Sequence, residues 1–434
     1  MIMPIFDEAF NSRLQTLDPE WVDEREQRDA QGLYPKTRII SEVSPHPIRR
    51  NRDQGRPDYF EGLTYTFLVN LPKFPGLDIM GDGSPVLTMT APVRTRDLHD
   101  LHACDRLLFV GDPSGEDWHP PHRVPLSRCA PMAVPALGPD TLILRGYRGD
   151  DDSHTHSLCR SDDRGKTWGE CSAVGHLPDG RELYTDLAYQ PLVEGTEMTF
   201  GFYVEGSTQP ETEPMGGQSL LRTYHADTET WDEPRLLPKA WRTSESSVVR
   251  AKNGDLVACL RTHLVDIPSP HDGWRAISTT WSSDNGETWA EPQAFFRFGR
   301  VHANITVVPD GRLIMTHAAR IGELDGRIYR GYEAVVSTDH GRTWDWLNRY
   351  IIYRSNDPSM HSPRTVVLND GRLLTCFMHH ITCSWTDLPE RLPHYWTSEI
   401  GLSPEQRPMI SNPNAGANFI GLGQISAVIW NLEE

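Results

Sequence analysis

The sequence predicts an all-β, six-bladed β-propeller of four-stranded antiparallel blades, and three observations predict it. An octapeptide of the form Ser-x-Asp-x-Gly-x-Thr-Trp returns at 161–168, 282–289 and 337–344. Between the copies, an apolar run, a Gly-containing turn and a second apolar run also recur. The composition, with 34 Gly, 34 Pro, 13 Trp and 13 Tyr, supplies turns and aromatic faces and argues against long helices. Repeats spaced by about 55 residues mark an architecture whose units bury their faces against one another.

The chain is expected to be one domain over 1–434, with 1–35 a non-blade extension. Residues 10–32, with Leu14, Leu17 and Trp21 among many charges, read as a short amphipathic helix outside the blades. The first hundred residues show little further pattern and leave room for a seventh blade. The final run Ile425–Leu432 is expected to pair beside a strand from the first hundred residues, with Thr37-Arg-Ile-Ile-Ser as the candidate, and close the ring. Trp118 and Trp231 end decayed copies of the octapeptide, and the next period falls near Trp396, with Trp385 also available. Hairpins are expected around Asn253-Gly254, Asp310-Gly311 and Asp370-Gly371, because Asn-Gly and Asp-Gly between β-rich runs suit the tight turn. Pro135–Leu144 is a looser copy, and 205–218 reads as an exposed loop.

The octapeptide has the chemistry of a clasp. Ser and Asp side chains bond nearby backbone amides, Gly supplies a left-handed turn position, and Trp buries a large face between units. None of this is catalytic, so function is sought elsewhere, at the inner strand ends that converge on the propeller axis.

Net charge is −18, which disfavours nucleic acid and anionic membrane surfaces as partners. An acidic ligand would need a local basic pocket. No run reaches the ~18 apolar residues of a membrane span. The first ten residues lack a signal peptide's basic and apolar regions, so a cytoplasmic protein is expected, or a secreted one if a leader was removed. Cys104, Cys129, Cys159, Cys171, Cys259, Cys376 and Cys383 form no C-x-x-C and are expected to be mostly buried thiols. The pairs His154/His156 and His379/His380 lack a third ligand at a recognisable spacing, so neither metal nor cofactor is expected.

Charged groups at equivalent places in successive repeats give the candidate site. Arg128 opens an inner strand, and Asp150 and Asp151 lie in the loop beyond it. Asp186 opens the third blade, Glu245 the fourth, His302 the fifth and His361 the last. Arg261 closes a strand sixteen residues after Glu245, and Arg327 and Arg330 precede the third octapeptide.

Over roughly residues 100–400 this set resembles the sialidase (neuraminidase) superfamily, whose members carry Asp-box (BNR) repeats on a six-bladed propeller. The resemblance implies that Arg128, Arg261 and Arg330 or Arg327 clamp a substrate carboxylate through planar, charge-assisted bonds. It implies Asp151 or Asp150 as acid/base and Glu245 as the group that makes a tyrosine nucleophile more basic. His302 and Asp186 would line the cleft. The chain departs from the family where the tyrosine is expected: Met360-His361-Ser362-Pro363 stands there, leaving Tyr353 or His361 for the role. The reading is an exo-acting glycoside hydrolase cleaving a terminal carboxylated sugar, sialic acid or a relative. The alternatives are a polysaccharide lyase or rhamnosidase that uses a cleft histidine on a uronate-containing glycan, and a non-catalytic carbohydrate-binding propeller.

Overall fold

The computed structural model describes residues 38–39, 64–67, 76–92, 104–119, 121–148, 156–175, 177, 180, 183, 189–204, 218–237, 243–262, 276–294, 299–324, 327–346, 348–355, 363–384 and 419–432. They build six antiparallel blades, with no helix among them.

Two short strands, β1 (Arg38–Ile39) and β2 (Thr64–Phe67), precede the first blade. Blade 1 is β3 (Gly76–Ile79), β4 (Pro85–Pro92), β5 (Cys104–Val110) and β6 (His122–Arg123). Blade 2 is β7 (Leu126–Ala133), β8 (Leu142–Arg148), β9 (His156–Ser161) and β10 (Ser172–Ala173). Blade 3 is β11 (Leu192–Glu194), β12 (Glu197–Val204) and β13 (Gln218–His225), with β14 (Thr230–Trp231) and β15 (Arg235–Leu236) both paired to β13. Blade 4 is β16 (Ser246–Arg250), β17 (Leu256–Thr262), β18 (Ala276–Ser282) and β19 (Gln293–Ala294). Blade 5 is β20 (Arg300–Val307), β21 (Leu313–Leu324), β22 (Arg327–Ser337) and β23 (Tyr350–Ser355). Blade 6 is β24 (Arg364–Val367), β25 (Leu373–Ser384) and β26 (Phe419–Trp430), completed by β2.

The first strand of each blade is innermost. Neighbouring inner strands touch around the axis, β3 against β7, β16 against β20, β20 against β24, and β24 back against β3. The final run does close the ring with a strand from the first hundred residues, but that strand is β2 and not the candidate at 37–41. β26 pairs with β2, Thr64 opposite Gln424, while β1 lies parallel to β23 at the edge of blade 5. Blade 1 also begins earlier than its pattern suggested. Its first hairpin, Met80-Gly81-Asp82-Gly83-Ser84, has the same Asp-Gly chemistry as those of blades 5 and 6, with Ser84 N donating to Asp82 Oδ1 at 2.9 Å. The expected helix at 10–32, the clasp tryptophans Trp385 and Trp396 and all of the loop expected at 205–218 but its last residue lie outside the described residues, and that residue, Gln218, opens β13.

All three octapeptides fold alike. In the second, Gly286 N donates to Ser282 Oγ at 2.8 Å, and Thr288 N and Oγ1 donate to Asp284 Oδ1 and Oδ2 at 2.8 and 2.5 Å. The copies at Asp163 and Asp339 repeat this pattern. The bonds stabilise the anion: Thr167 and the turn's backbone hold Asp163 down at about 2, and Thr288 does the same for Asp284, also about 2. Each clasp Trp packs on the core shared with the preceding blade, Trp168 beside Leu108, Trp289 beside Leu221 and Trp344 beside Val257. Burying such a side chain is worth about 1.5–3 kcal/mol, which is what joins one blade to the next. In blade 6, Trp430 does this work, donating Nε1 to Thr375 Oγ1 at 2.9 Å.

Cys159 and Cys171 are joined in a disulfide, whereas Cys259 and Cys376 are buried free thiols and Cys129 is buried. The pairing Ser172 opposite Leu158 puts Cys171 directly across from Cys159, with 4.3 Å between their Cα atoms. Spacing in the chain gave no sign of this; the cross-strand register creates it.

Candidate active site

Inner strands carry few side chains to the axis, so each blade contributes one or two groups. Glu245 immediately precedes β16. The Ser244–Glu245 backbone is pinned to Arg261 by two bonds, Ser244 N to Arg261 O at 3.1 Å and Arg261 N to Glu245 O at 3.0 Å. Blade 3 holds the same segment from the other side, with Ser219 Oγ donating to Ser244 O at 2.5 Å and Ser219 N to Thr243 Oγ1 at 3.1 Å. The approach is close enough to demand glycine: a Cβ on Gly201 would sit 2.3 Å from Ser246 Oγ and 2.4 Å from its carbonyl oxygen.

This framework aims the Glu245 carboxylate at three partners. Arg261 Nη1 donates to Oε1 at 2.5 Å, the Tyr189 hydroxyl donates to Oε2 at 3.4 Å, and His302 Nδ1 lies 3.8 Å from Oε2. The four come from blades 3, 4 and 5 and are all nearly buried. Such a carboxylate can accept a phenolic proton while a guanidinium balances its charge.

Below this group a polar network fills the axis. Asn304 Nδ2 donates to Pro363 O at 2.9 Å, Gln190 N donates to Asn304 Oδ1 at 3.3 Å, and Gln190 Nε2 donates to Asp78 Oδ1 at 2.8 Å. Asp78 also accepts Ile79 N on Oδ1 and Ala133 N on Oδ2, both at 2.8 Å. Asp78 keeps some contact with solvent. Burial nevertheless dominates its carboxyl and pushes it up to about 6, against these bonds and the field of Arg364. Through these links blades 1, 2, 3, 5 and 6 meet in one chain of hydrogen bonds.

A second buried charge cluster lies in blade 5. Glu333 accepts from Arg300 Nε at 2.9 Å and Arg349 Nε at 3.0 Å, and meets His317 Nε2 at 3.0 Å. Burial opposes its ionisation, but the two guanidiniums and His317 hold it well below the usual carboxylate range. Burial lowers His317 in turn, against the pull of Glu333.

Of the residues singled out in the sequence, Glu245, Arg261 and His302 come together. Arg128 occupies a bulge in β7, between the paired residues Ser127 and Ala130, and His302 occupies the matching bulge in β20, between Val301 and Asn304. Arg327 opens β22, and Arg330 pairs with Ser355 at the end of blade 5 where β20 begins. Tyr353 is not at Glu245. It lies on β23, the fourth strand out from the axis, stacked on Phe377 at 5.2 Å in the core between blades 5 and 6. The tyrosine at Glu245 is Tyr189. Asp150, Asp151, Asp186 and His361 lie outside the described residues, as do His154 and the side chains of His379 and His380. No metal-holding group of His, Cys, Asp and Glu occurs among the described residues, and they form no helix long and apolar enough to cross a membrane.

The pattern of repeats missed Tyr189, Gln190, Asn304 and Asp78. Tyr189 and Gln190 precede a strand of only three residues, too short to show a period. Asp78 had a signal, since it stands just before the Asp82-Gly83 turn as inner-strand residues do in the other blades.

Comparison with solved structures shows that other proteins share this propeller fold. A protein of unknown function from Dyadobacter fermentans superposes with a TM-score of 0.53 at 16% identity, covering 83% of this chain and 98% of that one. The NanB sialidase of Streptococcus pneumoniae gives 0.51 at 12% identity, over 90% of this chain and 72% of the other. An α-L-arabinofuranosidase of Fusarium graminearum gives 0.50 at 11%, over 83% and 97%. No known family pattern and no curated protein matches the sequence. At these identities the likeness is one of fold.

Proposed function

We propose that the chain is an exo-acting glycoside hydrolase that removes a terminal carboxylated sugar at the axial mouth, with Tyr189 as nucleophile. The observation that carries this reading is the Glu245 carboxylate held between Arg261 Nη1 at 2.5 Å and the Tyr189 hydroxyl at 3.4 Å. A phenol is a weak nucleophile until a base takes its proton, and a buried carboxylate at its hydroxyl is such a base. A neutral nucleophile suits an anomeric carbon that already bears a carboxylate, because a second anion would be repelled.

In the first step Tyr189 Oη forms a bond to the anomeric carbon and its proton passes to Glu245. The glycosidic bond breaks, and the leaving oxygen takes a proton from Asp151 or Asp150. In the second step that carboxylate draws a proton from water, whose oxygen displaces Tyr189, and the phenolate recovers its proton from Glu245. Arg128, Arg261 and Arg330 are assigned to the sugar carboxylate.

A panel of fluorogenic sialosides, uronides and α-L-arabinofuranosides tests this. Turnover of a carboxylated glycoside, lost in Tyr189→Phe, is the expected result. Turnover of the neutral arabinofuranoside alone would sink the acidic-sugar assignment. Binding without turnover on every glycan would favour a carbohydrate-binding propeller, and unsaturated products from a uronate polymer would favour a lyase.

A further inference from the structure

Five non-glycine residues among those described have a left-handed backbone. Four of them, Arg164, Glu229, Asn285 and His340, stand in the outer turns that lead to a clasp Trp, three of them followed by a glycine that is left-handed too. The fifth is His302, with φ of 57°, inside the inner strand β20. A bulky residue held there is costly, by about 1–3 kcal/mol, and such strain persists only where the surroundings impose it. The bulge between Val301 and Asn304 is that imposition. It turns the imidazole so that Nδ1 lies 3.8 Å from Glu245 Oε2, the oxygen that also receives the Tyr189 hydroxyl. The ends of the bulged strand are fixed independently. Arg300 is tied to buried Glu333 on one side, and Asn304 is tied to Pro363 and Gln190 on the other.

We infer that His302 is a positioning residue of the axial site, kept in a strained bulge so that its ring holds Glu245 Oε2 toward Tyr189. The inference rests on the hydrolase reading for its effect on rate, and on the backbone alone for its effect on stability. A residue conserving packing would sit in an ordinary strand conformation, whereas a residue bent out of it at a carboxylate trades stability for aim.

Three variants separate these roles. His302→Ala removes the ring and keeps the strain. His302→Gly removes both. His302→Asn tolerates the left-handed backbone and restores an N–H donor near the place of Nδ1. The expected order of melting temperature puts Gly and Asn above Ala. On the acidic glycoside, kcat is expected to fall about 100-fold in Gly and to recover about 10-fold in Asn. A glycine variant with full kcat, or one less stable than the alanine variant, would overturn the inference. Calorimetry with the free sugar acid supplies a readout without turnover. A wild-type protein that binds the sugar acid but hydrolyses nothing overturns the hydrolase reading, and weaker binding in Gly than in Asn then supports the inference. Equal binding in the two overturns it.

Discussion

The rim and the axis of this propeller use the same residue type to opposite ends. At the rim, Asp163 and Asp284 each take three bonds from their own turn and are held down at about 2. At the axis, Asp78 also takes three bonds, yet burial pushes it up to about 6. The difference lies in the surroundings: water carries most of the rim charge, and the packed axis cannot. Rim aspartates are therefore most comfortable as anions and serve the fold. An axial group that resists ionisation is kept at some cost to the fold, as groups near functional sites often are.

The sharpest way to break this contrast is at Glu245. Glu245→Gln keeps the shape but cannot take the Tyr189 proton, and turnover of the acidic glycoside is expected to drop by about 10³-fold, read as kcat. A loss of less than tenfold would place the chemistry elsewhere. Next comes Glu333→Gln, which leaves Arg300 and Arg349 buried against a neutral amide. It is expected to cost about 3–5 kcal/mol in denaturant unfolding, as breaking a buried ion pair does. Gly201→Ala should cost about 1–3 kcal/mol through overpacking against Ser246 and lower activity with it, because Glu245 adjoins Ser246. At the rim, Asp339→Ala is expected to cost only about 1 kcal/mol and leave the activity of the folded protein unchanged.

The smallest effect is a pH signature whose sign differs between the two regions. For Asp163, the folded value lies below the unfolded one, so its contribution is present above about pH 4 and is lost as pH falls toward 2. For Asp78 the folded value lies above it. Its proton favours the folded state at low pH, and that advantage is lost as pH rises from about 4 to about 6. Asp78→Asn should therefore flatten melting temperature against pH within the 4–6 window, while Asp163→Asn should flatten it below 4. An unchanged slope in the first variant would mean that the axis solvates Asp78 better than its packing implies.

Much of the fold was legible because it repeats. The three octapeptides and the Gly turns at 254, 311 and 371 recur with the same local bonds, and each copy can be read from its own eight or ten residues. The site was legible only where it shares that ruler. Glu245 and Arg261 flank a hairpin and could be placed from it. Tyr189 and Asp78 reach Glu245 and Gln190 through contacts between blades, which no local pattern encodes. Tyr353 was misleading for the same reason, since strand number, and not distance along the chain, decides whether a side chain meets the axis. The partner of the closing strand was likewise a matter of which edge is left open in space.

That closing strand carries a consequence for how the molecule comes into being. β2 precedes every blade, yet its partner β26 follows nearly all of them. During synthesis Thr64–Phe67 emerges early and stays an unpaired edge until Gln424 has left the ribosome. Five blades can stack in the order in which they are made, but the sixth is finished by the chain's early segment. The pairing is short, four residues, and must wait for a loop as long as the propeller itself to close. Closing the ring thus joins an early segment to a late one, and truncated nascent chains that stop before β26 would carry an open edge that invites a neighbouring chain.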